Sequence, residues 1–83
     1  MTKEEFLKKY GDIKVKFSSY YKYIFNYSAT LEDGSILEVG VGGDSGDIYR
    51  FSVDVDELVR IEILDPFSGS VYKNGNEIEG FYE

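Results

Sequence analysis

Residues 25–41 read FNYSATLEDGSILEVGV and contain the clearest structural pattern of the chain. Apolar residues occupy the odd-numbered positions on both sides of residues 31–35. A period of two is typical of a strand with one buried face. Residues 31–35 fit a hairpin with a three-residue loop, in which Gly34 takes the left-handed position of a bulge. The register predicts three cross-strand pairs: Ala29 with Leu37, Tyr27 with Val39, and Phe25 with Val41.

The alternation before the loop begins at residue 21, so the first strand of the hairpin is predicted over residues 21–31. Three further runs alternate in the same way and predict strands: residues 13–17, 49–55 and 59–63. Pro66 should end the last of these. Near the end of the chain, Asn74-Gly75 favours a two-residue turn between residues 70–73 and 76–79. We expect that turn to place Val71 opposite Ile78.

The opening residues MTKEEF predict the start of a helix. Thr2 can cap the first turn, and Glu5 completes a capping box three residues later. Met1 can pack on Phe6 as a hydrophobic staple, and Gly11 predicts the end of the helix. A helix of about two to three turns is too short to be stable alone, so it should pack on the sheet.

Together these signals predict one α+β domain over residues 1–83. We expect a short N-terminal helix packed on an antiparallel sheet of about five to seven strands, either open or curled into a small barrel.

Composition restricts the classes of function. The net charge is −7, and it divides unevenly: residues 1–28 hold six lysines and three acids, whereas the rest holds three basic residues and thirteen acids. Such a charge repels nucleic acid and anionic membranes and favours basic partners. There is no cysteine, so neither a disulfide nor a thiolate site can form. No apolar run near the start is long enough for a signal sequence or a membrane span, and we expect a cytoplasmic protein.

Residues 42–47 read GGDSGD, in which Gly-Asp-Ser-Gly is also the sequence around the nucleophile of chymotrypsin-like proteases. Ser45 would need a base, and the chain has no histidine. A dinucleotide loop or a KH-type loop is also excluded, because the flanking segments suggest strands and the aspartates would repel phosphate. We interpret this stretch as an exposed turn, since glycine, aspartate and serine tolerate unusual backbone angles.

Calcium binding is an alternative for the acidic clusters. Asp44, Ser45 and Asp47 offer oxygen ligands, and Asp54, Asp56 and Glu57 offer more. Neither cluster has the spacing of an EF-hand. We therefore predict no metal site and no cofactor.

Two other groups of residues have side chains that could carry chemistry. The carboxylates of possible acid–base pairs fall on polar strand faces, where solvation explains them: Glu38, Asp54, Glu62, Glu77 and Glu79. The aromatic run of residues 20–27 resembles the stacking platform of single-strand-binding sheets, and Lys14, Lys16 and Lys22 lie nearby. Tyr21, Tyr23, Phe25 and Tyr27 share an alternating pattern with Ala29 and Leu31, which favours the core.

The best hypothesis is a non-enzymatic acidic module that binds a basic protein surface. The carboxylates of the later part of the chain would then form one negative face and speed encounter. Contact residues are expected to be Asp44, Asp47, Asp54, Asp56, Glu57 and Glu62, with Tyr49 as an aromatic anchor.

The size and composition are similar to those of phage and mobile-element proteins that inhibit nucleic-acid-binding enzymes, including anti-CRISPR proteins and DNA mimics. This likeness involves no shared motif. It suggests a viral inhibitor, monomeric or homodimeric, that binds neither nucleic acid nor membrane directly. The alternatives are an accessory domain that self-associates through a sheet edge and a calcium module.

Overall fold

The computed structural model describes residues 1–42 and 56–83 of the chain. In chain order, its helices and strands are α1 (Lys3–Tyr10), β1 (Lys14–Tyr21), β2 (Ile24–Thr30), β3 (Ile36–Gly42), β4 (Leu58–Arg60), α2 (Ile61–Leu64), β5 (Ser68–Lys73) and β6 (Asn76–Tyr82).

The strands form one antiparallel sheet in the order β4-β1-β2-β3-β5-β6. This confirms the α+β class and the predicted number of strands. The expected alternative of a small barrel is not adopted, because β4 and β6 lie at opposite edges of the described sheet and do not pair. β4 does not lie beside β3 or β5, its neighbours in the sequence. It pairs with β1 and forms one edge of the sheet.

The N-terminal helix α1 begins as its sequence predicts. The Thr2 hydroxyl accepts the amide of Glu5, and the Glu5 carboxylate accepts the amide of Thr2. The helix ends at Gly11, which keeps a right-handed conformation with φ −59°. Gly11 is needed there for space, since a Cβ would lie 2.3 Å from the carbonyl oxygen of Leu7.

The core lies between the helices and one face of the sheet, which we call the inner face. Phe6 and Tyr10 of α1 are buried against it, and the Phe6 ring lies 4.9 Å from that of Phe81 on β6. A side chain at Gly69 would meet the Phe6 ring at 2.5 Å, so glycine permits the close approach of α1. The strand residues of this core are Val15, Phe25, Tyr27, Leu37, Val39, Val41, Val71 and Phe81.

The β2–β3 hairpin has the predicted register in every pair: Ala29 with Leu37, Tyr27 with Val39, and Phe25 with Val41. Gly34 takes φ +87°, as the three-residue loop requires. The amide of Leu31 donates to the carbonyl of Ser35 at 2.8 Å, which closes the loop.

The β5–β6 hairpin turns at Asn74 and Gly75, which both have positive φ, as the sequence predicts. The predicted pairing of Val71 with Ile78 is wrong. A bulge shifts the register, so that Val71 pairs with Glu79 and Ile78 is the extra, exposed residue of β6.

The predicted single strand over residues 21–31 is wrong at its start, because the chain turns at Lys22 and Tyr23. Both residues have positive φ, 48° and 66°. The turn contains no glycine or asparagine, the residues that usually indicate such angles. The turn separates Tyr21 from Phe25. Tyr21 and Tyr23 are 67% and 53% exposed, contrary to the expectation that they join the core, whereas Phe25 and Tyr27 are buried as expected.

The predicted strand over residues 59–63 is correct only as far as Arg60. At Ile61 the chain enters α2, and the Ile61 amide donates to the carbonyl of Ile13. A helix places Ile61 and Leu64 against the core and leaves Ile63 63% exposed, whereas a strand would have put Ile61 and Ile63 on one face. The strand predicted over residues 49–55 lies outside the described residues.

Candidate functional site

Three of the seven residues expected to contact a partner are in the described part of the chain, and all three flank the edge strand β4. Asp56 and Glu57 come directly before β4, and Glu62 lies in α2 directly after it. Leu58, the first residue of β4, is 57% exposed. The other four expected residues, Asp44, Asp47, Tyr49 and Asp54, lie outside the described residues.

Two of these three acids lie beside a basic side chain. The Asp56 carboxylate is 3.3 Å from the Lys16 ammonium, and Glu62 is 2.9 Å from the Arg60 guanidinium. The side chain of Asp56 is 90% exposed. Pairs this exposed contribute little to stability, so a partner can replace their contacts at small cost.

The described acids do not share one wall. Glu77 and Glu79 lie on β6, at the edge opposite β4, and Glu32 and Asp33 lie in the β2–β3 loop. Several acids are also paired, at the distances given: Asp65 with Lys3 at 2.7 Å, Glu79 with Lys9 at 2.6 Å, and Asp33 with Lys73 at 4.0 Å. The negative charge is therefore spread over both edges of the sheet.

Glu79 was expected on a solvated face, and that expectation is wrong. Its partner across the sheet is Val71, so it lies on the inner side, where Lys9 and the Tyr10 hydroxyl both donate to it. Those hydrogen bonds hold the pKa of Glu79 below its usual range, and burial raises the pKa of Tyr10. Glu79 thus anchors α1 to the sheet.

The opposite, outer face of the sheet carries a groove that the sequence analysis did not identify. It has a volume of about 150 Å³ and crosses β2, β3, β5 and β6. We call it the outer groove, and these polar side chains line it: Asn26, Glu38, Ser68, Ser70, Tyr72 and Tyr82. Val39 and Gly40 of β3 also line it.

The register explains why these side chains meet. Glu38 pairs with Ser28 on one side and Ser70 on the other, and Ser68 lies between Gly40 and Tyr82. Gly40, Ser68 and Ser70 are small residues, and the larger side chains of Glu38 and Tyr82 lie beside them on the outer face. Ser28 and Glu38 are half-buried, and Tyr82 is 67% exposed.

One wall of the outer groove is held by hydrogen bonds. The Tyr82 hydroxyl donates to the Glu77 carboxylate, which leaves Ser70 as the donor of the 3.0 Å contact to the Tyr82 oxygen. The bond from Tyr82 holds the pKa of Glu77 below its usual range, and the same contact raises the pKa of Tyr82. Glu77 is therefore ionised at neutral pH, and its carboxylate accepts from the Tyr82 hydroxyl beside the groove.

A second surface is the tip of the β1–β2 hairpin, whose tyrosines the sequence analysis compared with a stacking platform but assigned to the core. Tyr20, Tyr21, Tyr23 and Ile24 are all exposed there. The Lys22 ammonium lies 5.2 Å from the centre of the Tyr21 ring, within the range of a cation–π contact. The exposure of these tyrosines follows from the turn at Lys22 and Tyr23. Both residues have positive φ there, which their residue types do not predict.

The described residues contain no group of acidic side chains arranged to hold a metal ion. The cluster of Asp44, Ser45 and Asp47, expected to be an exposed turn, lies outside that range, as does Asp54. Among the residues described, no helix has the length and apolar character needed to cross a membrane.

Comparison with known proteins identified no relative: no protein-family model, no curated protein and no solved structure matches the chain.

Proposed function

We propose that the chain is a non-enzymatic module that binds a basic protein through its acidic surface. The observation that carries this proposal is the edge at β4, where Asp56 and Glu57 adjoin the exposed apolar side chain of Leu58. An exposed apolar residue beside carboxylates is the kind of surface on which an apolar contact supplies affinity and charge supplies orientation.

The net charge supports a basic partner. Among residues 1–42 and 56–83 there are thirteen acids and eight basic residues, so negative charges outnumber positive ones even if every basic residue is paired with an acid. The missing histidine and cysteine remove the commonest general base and the strongest nucleophile, which favours a binding function over an enzyme.

We further propose that the partner is a nucleic-acid-binding enzyme, which the module inhibits by competing for a basic groove. Such grooves attract a negative surface at long range. Because the described acids are spread over two edges, the acidic contact is centred on the β4 edge, and Asp44, Asp47, Asp54 and Tyr49 of the preceding sequence stay predicted contacts. An inhibitor of this kind acts in the cytoplasm, as phage anti-CRISPR proteins do.

The test is a comparison of two charge-reversal variants with the same change of net charge. Asp56→Lys with Glu57→Lys removes the negative charge at β4, whereas Glu4→Lys with Glu32→Lys does so on α1 and in the β2–β3 loop. The basic partner is first captured from native cells at low salt, and its association rate is then measured against both variants over a range of salt concentrations.

We expect the β4 variant to lower the association rate about tenfold at low salt, with the difference shrinking as salt rises. The control variant should have a smaller effect. Equal rates for the wild type and the β4 variant at every salt concentration would overturn the proposal.

Self-association through a sheet edge is the rival proposal, and β6 carries features that oppose it. Ile78 forms a bulge, and Glu77 and Glu79 flank it with charge, both of which hinder pairing with another strand. Sedimentation at high salt separates the two: a mass that rises with concentration favours self-association. A melting temperature raised by calcium and restored by a chelator would instead indicate a calcium module.

A further inference from the structure

The outer groove has the wrong size for a cofactor and the right size for one side chain. Ligand pockets usually measure roughly 300–1,000 Å³, whereas this groove has about 150 Å³. It is also polar, and two tyrosine rings line it. A single polar group that can stack on an aromatic ring is therefore the occupant that fits its dimensions.

The charge of the groove selects a cation. Glu38 is a half-buried carboxylate with no ion pair in the described part of the chain, and Glu77 is held beside the groove by Tyr82. None of the described residues lining the groove is lysine or arginine. A carboxylate that is partly removed from water gains from an added positive charge, because screening by solvent is weaker there.

We infer that the outer groove receives an arginine side chain from the basic partner. The inference rests on the proposed function, which supplies the arginine. The guanidinium is planar, donates two parallel hydrogen bonds to a carboxylate and stacks on aromatic rings. Glu38 offers the carboxylate, and Tyr72 and Tyr82 offer the rings.

Arginine fits these features better than the two nearest competitors. A lysine ammonium is a compact charge that cannot make the paired, planar contact with Glu38 and is more strongly hydrated. A neutral sugar could stack on a ring and donate its hydroxyls to the carboxylate, but it brings no positive charge to balance that of Glu38. The serine hydroxyls and Asn26 complete the polar rim around the guanidinium.

The experiment uses N-acetyl-arginine amide as the probe and records backbone amide shifts of the whole chain by NMR. The matched control is N-acetyl-citrulline amide, which has almost the same shape and no charge. N-acetyl-lysine amide and glucose test the two competitors. We expect the arginine compound alone to shift the amides of Gly40, Ser70 and Tyr72 in the millimolar range.

Two variants locate the contact. Glu38→Gln keeps the size of the side chain and should lower the affinity for the arginine compound at least about tenfold. Glu32→Gln, in the β2–β3 loop, removes the same charge and should leave that affinity unchanged. Tyr72→Leu should weaken binding too, and Tyr23→Leu should not. The spectra also show whether each variant keeps the fold.

Equal shifts by citrulline, lysine or glucose would overturn the assignment, as would unchanged affinity in Glu38→Gln or no shift in the groove. These outcomes are separate from those of the proposed function. The probe measures the groove without any partner, and partner capture with the Asp56 and Glu57 variant measures the β4 edge without the groove.

Discussion

The two hairpins that share β2 differ in how their turns are encoded. The β2–β3 turn contains Gly34 at φ +87°, and glycine accepts that angle at no steric cost because it has no side chain. The β1–β2 turn places Lys22 and Tyr23 at φ 48° and 66°, where a side chain costs about 1–2 kcal/mol per residue. The first turn is specified locally. The second is imposed by the strands on either side of it.

Packing around Phe25 is what imposes the second turn. Phe25 pairs with Val41 on β3 and with Tyr20 on β1, and its ring centre is 5.0 Å from that of Tyr20 and 6.4 Å from that of Phe17. A strand that continued through residue 23 would lose these contacts with β1. The strained turn persists because the core that it completes is worth more than its strain.

The strongest test of this comparison is Phe25→Ala, which removes the ring that both hairpins share. Loss of a fully buried phenylalanine should lower the free energy of unfolding by about 3–5 kcal/mol, and Phe25 is 1% exposed. Chemical denaturation measures the change. Tyr21→Ala is the control, since Tyr21 is exposed and its loss should cost no more than about 0.5 kcal/mol. Similar losses in the two variants would show that the ring does not hold the hairpins together.

The next test concerns the locally encoded turn. Gly34→Ala should destabilise the protein by about 1–2 kcal/mol. Nothing lies within 4 Å of a Cβ at this position, so the loss reports backbone strain alone. Gly34→Asn should cost less, because asparagine tolerates left-handed angles. If alanine and asparagine cost the same in thermal unfolding, the strain argument for this turn is wrong.

The parts of the fold that could be predicted are those determined by residues close together in the sequence. The capping box at Thr2 and the turns at Gly34 and Gly75 are short patterns, and the structure contains all three. Parts decided by distant contacts were missed. The Ile61 amide donates to the carbonyl of Ile13, far away along the chain, and the Ile61 side chain lies in the core, where α2 takes the place of the second half of a predicted strand.

The outer groove could not be predicted for the same reason. Asn26, Glu38, Ser70 and Tyr82 are ordinary polar-face residues of four strands, and they meet only because β3 pairs with β5. Chain order suggests that β3 and β4 are neighbours, whereas β4 pairs with β1. At the β4 edge, the charge of Asp56 was enough to predict that its side chain is exposed. Its position beside Lys16 could not be predicted without knowing that β4 pairs with β1.

The comparison also predicts a stabilising change. Lys22→Asn with Tyr23→Gly replaces the strained turn by the sequence found at Asn74 and Gly75, and it should raise the free energy of unfolding by about 1 kcal/mol. The added freedom of glycine in the unfolded chain limits the gain. The reciprocal change, Asn74→Lys with Gly75→Tyr, should destabilise. A loss of stability in the first double variant would mean that the Lys22 and Tyr23 side chains contribute more than their turn costs.

The smallest expected difference between the hairpins is in their response to pH. The Asp33 carboxylate accepts the Ser35 amide at 2.9 Å, and this bond holds the pKa of Asp33 below its usual range. A carboxyl whose pKa is lowered by folding stabilises the protein above its unfolded pKa, and that stabilisation disappears as the pH falls through the folded pKa. Residues 13–31, which include the β1–β2 hairpin, contain no aspartate or glutamate.

The amide signal of Ser35 should therefore titrate in acid with a midpoint below that of an ordinary aspartate, while the amide of Tyr23 stays nearly constant. Asp33→Asn should abolish the titration at Ser35. In that variant, the contribution of the turn to the free energy of unfolding should no longer change between neutral and acid pH. Lys73, 4.0 Å from Asp33, adds attraction that salt screens, so the midpoint should rise slightly with salt. A Ser35 midpoint at or above the ordinary value would show that the Asp33 contact is not formed in solution, and the two turns would then differ in backbone strain alone.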